Sequence, residues 1–442
     1  MVSFAASVAA SYLLFAKHGL PYYGIRTIAV VSKDFEQVKK TASEIFTIIA
    51  PVGLLVSVIY IFFVKAGFHG SNVELLLLSG MHLPFAGLDA DWFHRGMDGY
   101  KYAALRAVFC RTSGTIAVFL LLRKSLDYPI YAAILSLTLA GVYFVSFIHL
   151  KLRMSFNFSN LELKRHIPGF ASAAMMNLVL GFYAQVDILM LGYLSDNRSI
   201  GLYSFAVKLI KTAVPFVTAM TGVLLARAAL SVAKGNDKKN TVMLRQSMKF
   251  TLFTGLPLSA ALYFLAEPIT SVFAGERFMP AVEIIRLMAP LILLMSISHW
   301  AGHQIFFSSG RDKIYIFAIL FGIMLNVIFS FLLVPSFSYK GSAWAFLLAE
   351  SMVIIFLFRA AKESVKYSLL DFDNLKYLLA TVLMSFVLFY MFSAMSAVPL
   401  VKMLSMMTVG SLSYLFSLYL MKEKFISGTL LSAYKGFRKN KS

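Results

Sequence analysis

Basic side chains within apolar stretches are the residues of this 442-residue chain that could do chemistry. Lys17, Lys208 and Lys211 lie deep inside such stretches. A cation there needs water or a counter-charge, so it marks a hydrated path or an anion site. Lys208 and Lys211 are three residues apart, which places them on one helix face about 12–17 Å from the helix start. We expect these lysines to line a hydrated or anion-filled cavity.

Acidic residues in the same kind of stretch offer a second explanation. Glu350 falls in the middle of one stretch and Asp187 toward the end of another. Either carboxylate could form a buried ion pair with a lysine, or carry a proton or sodium ion in a coupled transporter. Both interpretations stay open at the level of the sequence.

Four arginines complete the set of cations within apolar stretches. Arg26 and Arg106 lie near one end of their stretches, and Arg286 lies near the other end of its own. Their long side chains can reach the membrane interface, which would explain these three arginines without a functional role, and a role in the cavity is the alternative. We count Arg26 and Arg111 among the candidate cavity cations.

Other chemistry finds little support in the sequence. His299 and His303 share a helix face at i,i+4, but no glutamate of the metalloprotease pattern accompanies them and no third ligand is evident. A phosphate-binding glycine loop is missing, and there is one cysteine, Cys110. We therefore expect no metal site, no cofactor beyond a coupling proton or sodium ion, and no enzymatic activity.

The elements that must position these residues follow from composition. Apolar residues make up 59% of the chain and charged residues 14%, which excludes a soluble enzyme. A bilayer core of about 30 Å needs about 20 apolar helical residues. The sequence predicts an all-α membrane protein with thirteen spans: 3–31, 43–64, 72–90, 103–122, 128–149, 167–192, 200–226, 248–267, 281–307, 314–335, 341–358, 377–394 and 403–421.

The excess of positive charge reports orientation. There are 41 Lys and Arg against 21 Asp and Glu, a net charge of +20. Of the basic residues, 27 fall in one alternate set of loops and the tail, 7 in the other set, and 7 within spans. The positive-inside rule then places the C-terminus in the cytoplasm and the N-terminus outside. Nucleic-acid binding is not needed to explain the charge.

The chain is expected to have three parts. Residues 1–150 form a bundle of five helices, 151–360 a bundle of six, and 361–442 an extra helix pair with a basic tail. A short echo supports two related bundles, because Phe93, Gly96 and Asp98 recur as Phe307, Gly310 and Asp312 at a constant offset. Internal repeats of this kind are typical of secondary transporters.

Four stretches carry a resemblance to a known family. They are "GLPYYGIRTIAVVSKD" (19–34), "DADWFHRGMDGYKYAALR" (89–106), "QVDILMLGYLSDNRSIGLYSFAVKLI" (185–210), and "HQIFFSSGRDKIYIFAILFGIMLNVIFSFLLVP" followed by "GSAWAFLLAE" (303–335 and 341–350). Together, and in this order, they resemble the Wzx-type O-antigen or polysaccharide-unit flippases of the multidrug/oligosaccharidyl-lipid/polysaccharide exporter superfamily. The likeness extends over residues 1–360.

The resemblance implies two pseudo-symmetric helix bundles around a central cavity, plus a helix pair. It implies transport of undecaprenyl-diphosphate-linked oligosaccharide units across the bacterial inner membrane by alternating access. Arg26 falls in the family's second-helix motif, and Asp187 and Lys208 fall in the seventh-to-eighth helix motif. Since the opening span is similar to the family's second helix, the first helix is expected to be missing here.

Rival functions remain open at this stage. A cation-coupled drug antiporter of the same superfamily is the runner-up, although it would favour acidic cavity residues. A membrane polysaccharide polymerase or glycosyltransferase is the alternative from another class, although the outer loops are short. A polysaccharide polymerase and a chain-length regulator are the protein partners that the resemblance implies.

Overall fold

The protein is built from helices alone in every range that the structure describes. A computed structural model of the chain describes residues 2–17, 19–67, 71–97, 99–124, 127–158, 161–233, 237–309, 311–361 and 372–423. The prediction of an all-α membrane protein is confirmed. The α-helices are α1 (Val2–Lys17), α2 (Leu20–Val31), α3 (Phe35–Gly67), α4 (Ser71–Gly80), α5 (Leu83–Ala86), α6 (Asp91–Gly96), α7 (Tyr100–Leu121), α8 (Tyr128–Arg153), α9 (Ile167–Tyr183), α10 (Val186–Leu194), α11 (Asn197–Ala233), α12 (Asp237–Phe273), α13 (Ala281–Met288), α14 (Leu291–Trp300), α15 (Asp312–Ala361), α16 (Phe372–Ala394) and α17 (Pro399–Leu420).

Helix length separates the spans that cross a bilayer alone from those that do not. Within the described ranges, nine helical stretches are long and apolar enough to cross, one of which consists of α13, α14 and the π-helix that follows them. The pair α9 and α10, bent by 48°, is a candidate for a tenth span. Two further predicted spans consist of shorter pieces. The stretch 3–31 is α1 followed by α2, and the stretch 72–90 is α4 followed by α5.

The break between α1 and α2 has a local cause. Gly19 adopts φ +81°, a left-handed conformation that costs glycine little and that ends a right-handed helix. The apolar pattern of residues 3–31 predicts one span. The structure instead stops α1 at Lys17 and starts a new helix at Leu20, so Lys17 sits at a helix end.

The helix α15 is a hairpin of two spans. At 1.5 Å per residue its 50 residues would extend roughly 75 Å, more than twice the thickness of a bilayer core. Its helical geometry fails at Ser338, which has φ 50° and ψ −128°. A Cβ on Gly341 would lie 2.4 Å from the carbonyl oxygen of Leu333, so the chain doubles back tightly there. The two predicted spans 314–335 and 341–358 are therefore both present.

The hydroxyl of Ser338 also ties this turn to the start of α11. Its Oγ lies 2.7 Å from the Oγ atoms of both Ser195 and Ser199. Asp196 caps α11, since its Oδ1 accepts the backbone N–H of Ser199 at 2.7 Å. These contacts fix the helix that carries Lys208 and Lys211.

The chain divides into two compact units, Met1–Gly192 and Tyr193–Ser442. The core of the first unit packs around Phe46 and Trp92. The core of the second includes Tyr377, Met384 and Tyr414, where α16 and α17 meet α12. The three-part division drawn from sequence stays a prediction. So does the echo between the units, because Asp98 and Gly310 lie outside the described residues.

The hairpin makes a direct prediction for Gly341→Ala. The added methyl group overlaps the Leu333 carbonyl, so the substitution should lower the free energy of unfolding by about 1–3 kcal/mol. Gly201→Ala is the matched control, because a Cβ on that helical glycine meets nothing within 4 Å and alanine favours helix by up to about 1 kcal/mol. Denaturant titration in detergent micelles measures both. Equal stability of the two variants would contradict the hairpin.

Candidate functional site

Lys17 is neutralised by a carboxylate of its own unit. Its Nζ lies 2.7 Å from Oδ2 of Asp89, and only 20% of the lysine side chain and 7% of the aspartate side chain are exposed. The ammonium also lies 4.3 Å from the ring centroid of Tyr143, within the range of a cation–π contact. Lys17 is therefore an ion-paired residue in this structure.

Asp89 is held in place by the turn between α5 and α6. Its Oδ1 accepts the backbone N–H of Asp91 at 3.0 Å, and its carbonyl oxygen accepts the indole N–H of Trp92 at 2.8 Å. The sequence pattern indicated only Asp187 and Glu350 as possible partners of the lysines within apolar stretches, and it did not indicate Asp89. The signal was present, since the stretch 89–106 opens with two acidic residues just before a tryptophan.

A second ion-pair cluster lies on the same turn. Arg106 of α7 reaches Oδ1 of Asp91 at 2.6 Å, and its side chain is 3% exposed. Arg95 reaches the other oxygen of Asp91 at 2.8 Å. The guanidinium of Arg106 also lies 5.6 Å from the ring centroid of Tyr102. The sequence position of Arg106 suggested a side chain that reaches the membrane interface. In the structure this side chain is buried and forms an ion pair with Asp91.

The other two cations predicted in the first unit contribute less to a defined site. Arg111 is exposed near the middle of α7, a helix that buries little of its surface. An exposed charge at mid-span requires water or an anion. Arg26 lies in α2, and its side chain is outside the described residues. The roles assigned to both residues stay predictions.

Lys208 of α11 lies in a long apolar groove of the second unit, which we call the Lys208 groove. The groove has a volume of about 960 Å³ and runs between α11, α12, α16 and α17. Lys208 stands about 16 Å along α11 from Asn197 and is exposed. Most of the lining is apolar: Phe205, Leu209, Ala213, Phe216, Phe253, Pro257, Leu258, Ala261, Leu262, Leu265, Ile269, Phe273, Ile292, Met384, Leu388, Met406, Met407, Gly410 and Leu415.

Lys208 is the one charged side chain among the described residues that line this groove. No carboxylate in the described part of the chain lies within ion-pairing distance of it. The groove opens outward, since Phe216 and Phe273 are each 69% exposed. The arrangement suits a molecule with a long apolar part and an anionic group.

Lys211 does not line the groove. Its Nζ lies 6.0 Å from the ring centroid of Phe346 in α15. Three helical residues turn through about 300°, so Lys208 and Lys211 diverge by about 60° around the axis. This angle is enough to direct them toward different neighbours. A single anion site that uses both lysines stays a prediction.

The two predicted acidic residues are both buried. Glu350 in α15 is 1% exposed, and its Oε2 has no hydrogen-bond partner among the described residues. No lysine or arginine of the described ranges forms an ion pair with it, and the pairing of Glu350 with a lysine stays a prediction. Asp187, 1% exposed, lies in the first turn of α10, where the helix dipole favours a negative charge.

The two histidines of α14 and its extension stack on each other. The rings of His299 and His303 have centroids 3.8 Å apart and an interplanar angle of 17°. Nδ1 of His303 lies 3.0 Å from the carbonyl oxygen of His299. Their segment continues as a π-helix over Ala301–Phe307, a form of helix that is often found at functional sites.

The spans, together with the apolar groove, define a multi-pass helical membrane protein. Its family follows from its sequence. The chain belongs to the polysaccharide biosynthesis protein family, whose profile matches residues 1–227. The MatE profile matches residues 172–332. The resemblance to Wzx-type members of the multidrug/oligosaccharidyl-lipid/polysaccharide exporter superfamily is thereby confirmed.

Two proteins of similar sequence and one solved structure of similar fold are consistent with this family. The chain is 21% identical to the "Putative O-antigen transporter" of Shigella dysenteriae over 359 residues, which is 79% of this chain and 88% of the relative. It is 19% identical to the protein of the same name from Escherichia coli K12, over 59% of this chain and 64% of the relative. The fold is similar to that of the lipid II flippase MurJ in an inward closed conformation, with a TM-score of 0.70, 17% identity and coverage of 96% and 98% of the two chains.

The ion pair of Lys17 and Asp89 can be tested by a mutant cycle. Asp89→Asn leaves the lysine charge without a partner and should lower the free energy of unfolding by about 3–5 kcal/mol. Lys17→Met should act in the same direction. The double variant Lys17→Met/Asp89→Asn should lose much less than the sum of the two, because no uncompensated charge remains. Strictly additive losses, measured by denaturant titration in micelles, would show that the pair is not coupled.

Proposed function

We propose that the protein is a flippase that moves undecaprenyl-diphosphate-linked oligosaccharide units from the cytoplasmic to the outer leaflet by alternating access. The observation that carries this proposal is the Lys208 groove. It combines apolar walls with a single cation at mid-span that has no carboxylate partner in the described chain. The transport step makes and breaks no covalent bond of the substrate.

The chemistry of the groove matches the two ends of such a substrate. A prenyl chain can lie along the apolar walls without removing polar groups from water. An ammonium offers three N–H donors to phosphate oxygens, and hydrogen bonds between ionised groups are among the strongest in proteins. A neutral lipid would leave Lys208 uncompensated at that depth. We infer that Lys208 contacts the diphosphate and that the hydrophilic sugar follows a hydrated path.

The charges of the loops support a proposed orientation in the cell. We propose that the loops rich in lysine and arginine, with the basic tail after Met421, face the cytoplasm of a bacterium and that the chain lies in its inner membrane. The substrate would then be loaded from the side where its nucleotide-sugar precursors are made. A polysaccharide polymerase and a chain-length regulator would act on the product at the outer leaflet.

Glu350 is our candidate for energy coupling. A buried carboxyl group with no cationic partner among the described residues needs a proton or a bound cation to remain in an apolar setting. Exchange of a proton or sodium ion at Glu350 could drive the return of the empty transporter. Asp187 lies in the other unit and is a second coupling candidate.

A cation-coupled drug antiporter is the alternative function. The match of residues 172–332 to the MatE profile and the buried Glu350 favour it. The unpaired cation in the groove argues against it, because Lys208 would repel a cationic drug. Uptake of a cationic dye into proteoliposomes under a proton or sodium gradient separates the two functions.

Lys208→Gln tests the flippase proposal. Loss of one charge-assisted hydrogen bond should lower translocation of the lipid-linked oligosaccharide about tenfold to a hundredfold, while Lys208→Arg should keep most of it. Arg277→Gln is the matched control, since Arg277 is an exposed cation outside the groove. Translocation is measured in proteoliposomes with equal amounts of inserted protein.

Two outcomes of this experiment would count against the proposal. Wild-type translocation by Lys208→Gln would remove the cation from the mechanism. An equal loss in Arg277→Gln would attribute the effect to net charge. Lys211→Gln adds a further comparison. Because Lys211 lies over Phe346, its substitution should lower translocation less than Lys208→Gln does.

Filling the groove tests where the prenyl chain lies. Ala213→Trp adds a bulky ring to the lining and should slow translocation of the undecaprenyl substrate more than that of an analogue with a short prenyl chain. Leu332→Trp is the control, because Leu332 is 66% exposed on α15 and does not line the groove. A loss that is the same for long and short chains would show that the groove does not hold the tail.

A further inference from the structure

A second pocket lies in the first unit, between α6, α7 and α8, and we call it the His149 pocket. Its volume is about 550 Å³. One side is formed by His94, Tyr102 and His149, and the rim carries Lys101 and Arg153. None of the described residues that line it is acidic. The flippase proposal assigns no role to this pocket.

The polar side of the pocket is a rigid stack of rings. Tyr102 and His149 stack with centroids 3.8 Å apart, and His94 lies 4.8 Å from each. The ring N–H at Nε2 of His94 donates to the carbonyl oxygen of Ser146 at 3.2 Å. Nδ1 of His149 is buried and has no hydrogen-bond partner among the described residues. The stack therefore presents a preformed surface with one unsatisfied nitrogen.

The two cations at the rim are free of carboxylates. Lys101 and Arg153 are both exposed, and neither forms an ion pair with any residue in the described ranges. Arg106 contacts the ring of Tyr102, but its guanidinium forms an ion pair with Asp91. Two unpaired cations above a ring stack favour an anionic ligand.

Helix lengths place the pocket at the edge of the bilayer. The 26 residues of α8 extend about 39 Å, so its last residue, Arg153, stands beyond a hydrocarbon core of about 30 Å. Lys101 is the second residue of α7, at the same rim. Phe35, Met97 and Leu105 supply an apolar side. A polar rim beside an apolar wall matches the boundary between lipid headgroups and acyl chains.

We propose that the His149 pocket binds an anionic phospholipid through its phosphate group. Lys101 and Arg153 pair with the phosphate, the stacked rings of Tyr102 and His149 contact the glycerol region, and the apolar wall receives the first methylenes of the acyl chains. The bound lipid fixes α6, α7 and α8 relative to one another. A soluble phosphate ester shares the anionic chemistry but lacks the acyl chains.

Native mass spectrometry of the purified full-length protein in detergent tests this site. Phosphatidylglycerol is added as the probe, phosphatidylcholine as the neutral lipid and glycerol 3-phosphate as the soluble competitor. Lys101→Gln/Arg153→Gln should weaken phosphatidylglycerol binding about twenty-five-fold, at about a fivefold loss for each cation near the phosphate. Lys151→Gln/Lys164→Gln is the matched control, since both lysines are exposed and neither lines the pocket.

The expected result is a loss confined to the pocket variant, preference for phosphatidylglycerol over phosphatidylcholine, and no displacement by glycerol 3-phosphate. Leu105→Glu, which adds a carboxylate to an exposed lining position, should expel the lipid as well. Undiminished binding in both pocket variants, or equal loss in the lysine control, would overturn the proposal. Equal binding of the neutral lipid, or displacement by the soluble ester, would overturn it too. Lipid retention is measured without transport, so this result is independent of the flippase proposal.

Discussion

The constraint on which this structure depends is that a charge inside a bilayer must meet a counter-charge, water or a ligand. In the first unit, Asp89 neutralises Lys17 and Asp91 neutralises Arg106, while Arg111 is exposed near the middle of α7. The second unit leaves Lys208 in an apolar groove without a carboxylate among its described neighbours. We propose that ion-paired cations such as Lys17 and Arg106 hold the fold together and that Lys208 is available to a substrate.

Interruptions of the helices place these charges. Because α1 stops before Gly19, Lys17 lies at a helix end, and the turn before α6 presents Asp89 to it. In the second unit, the reversal at Ser338 fixes the start of α11 through two serine hydroxyls, and α11 carries Lys208. Irregular backbone in membrane proteins is tolerated where it is buried in protein, and here it positions charged side chains.

Much of this architecture could be predicted from the sequence, because apolar length and loop charge are local properties of a chain. Each of the thirteen predicted spans contains helix within the described residues, and the four quoted stretches led to the correct family. Partners of individual charges could not be predicted in the same way. Lys17 and Asp89 are 72 positions apart, and only packing brings them together. Lys208 and Lys211 both lie on helix α11, as their spacing predicts. Their directions differ by about 60° around the helix axis, and this angle is enough to give them different neighbours.

We propose that the Lys208 groove receives the lipid-linked oligosaccharide. Photo-crosslinking with an undecaprenyl diphosphate oligosaccharide that carries a diazirine in its prenyl chain tests it most directly, with the labelled peptides identified by mass spectrometry. We expect labels on groove-facing residues of α11, α12 and α17 that disappear when unlabelled substrate is added in excess. Labelling confined to helices outside the groove, or labelling of the groove that excess substrate does not reduce, would contradict it.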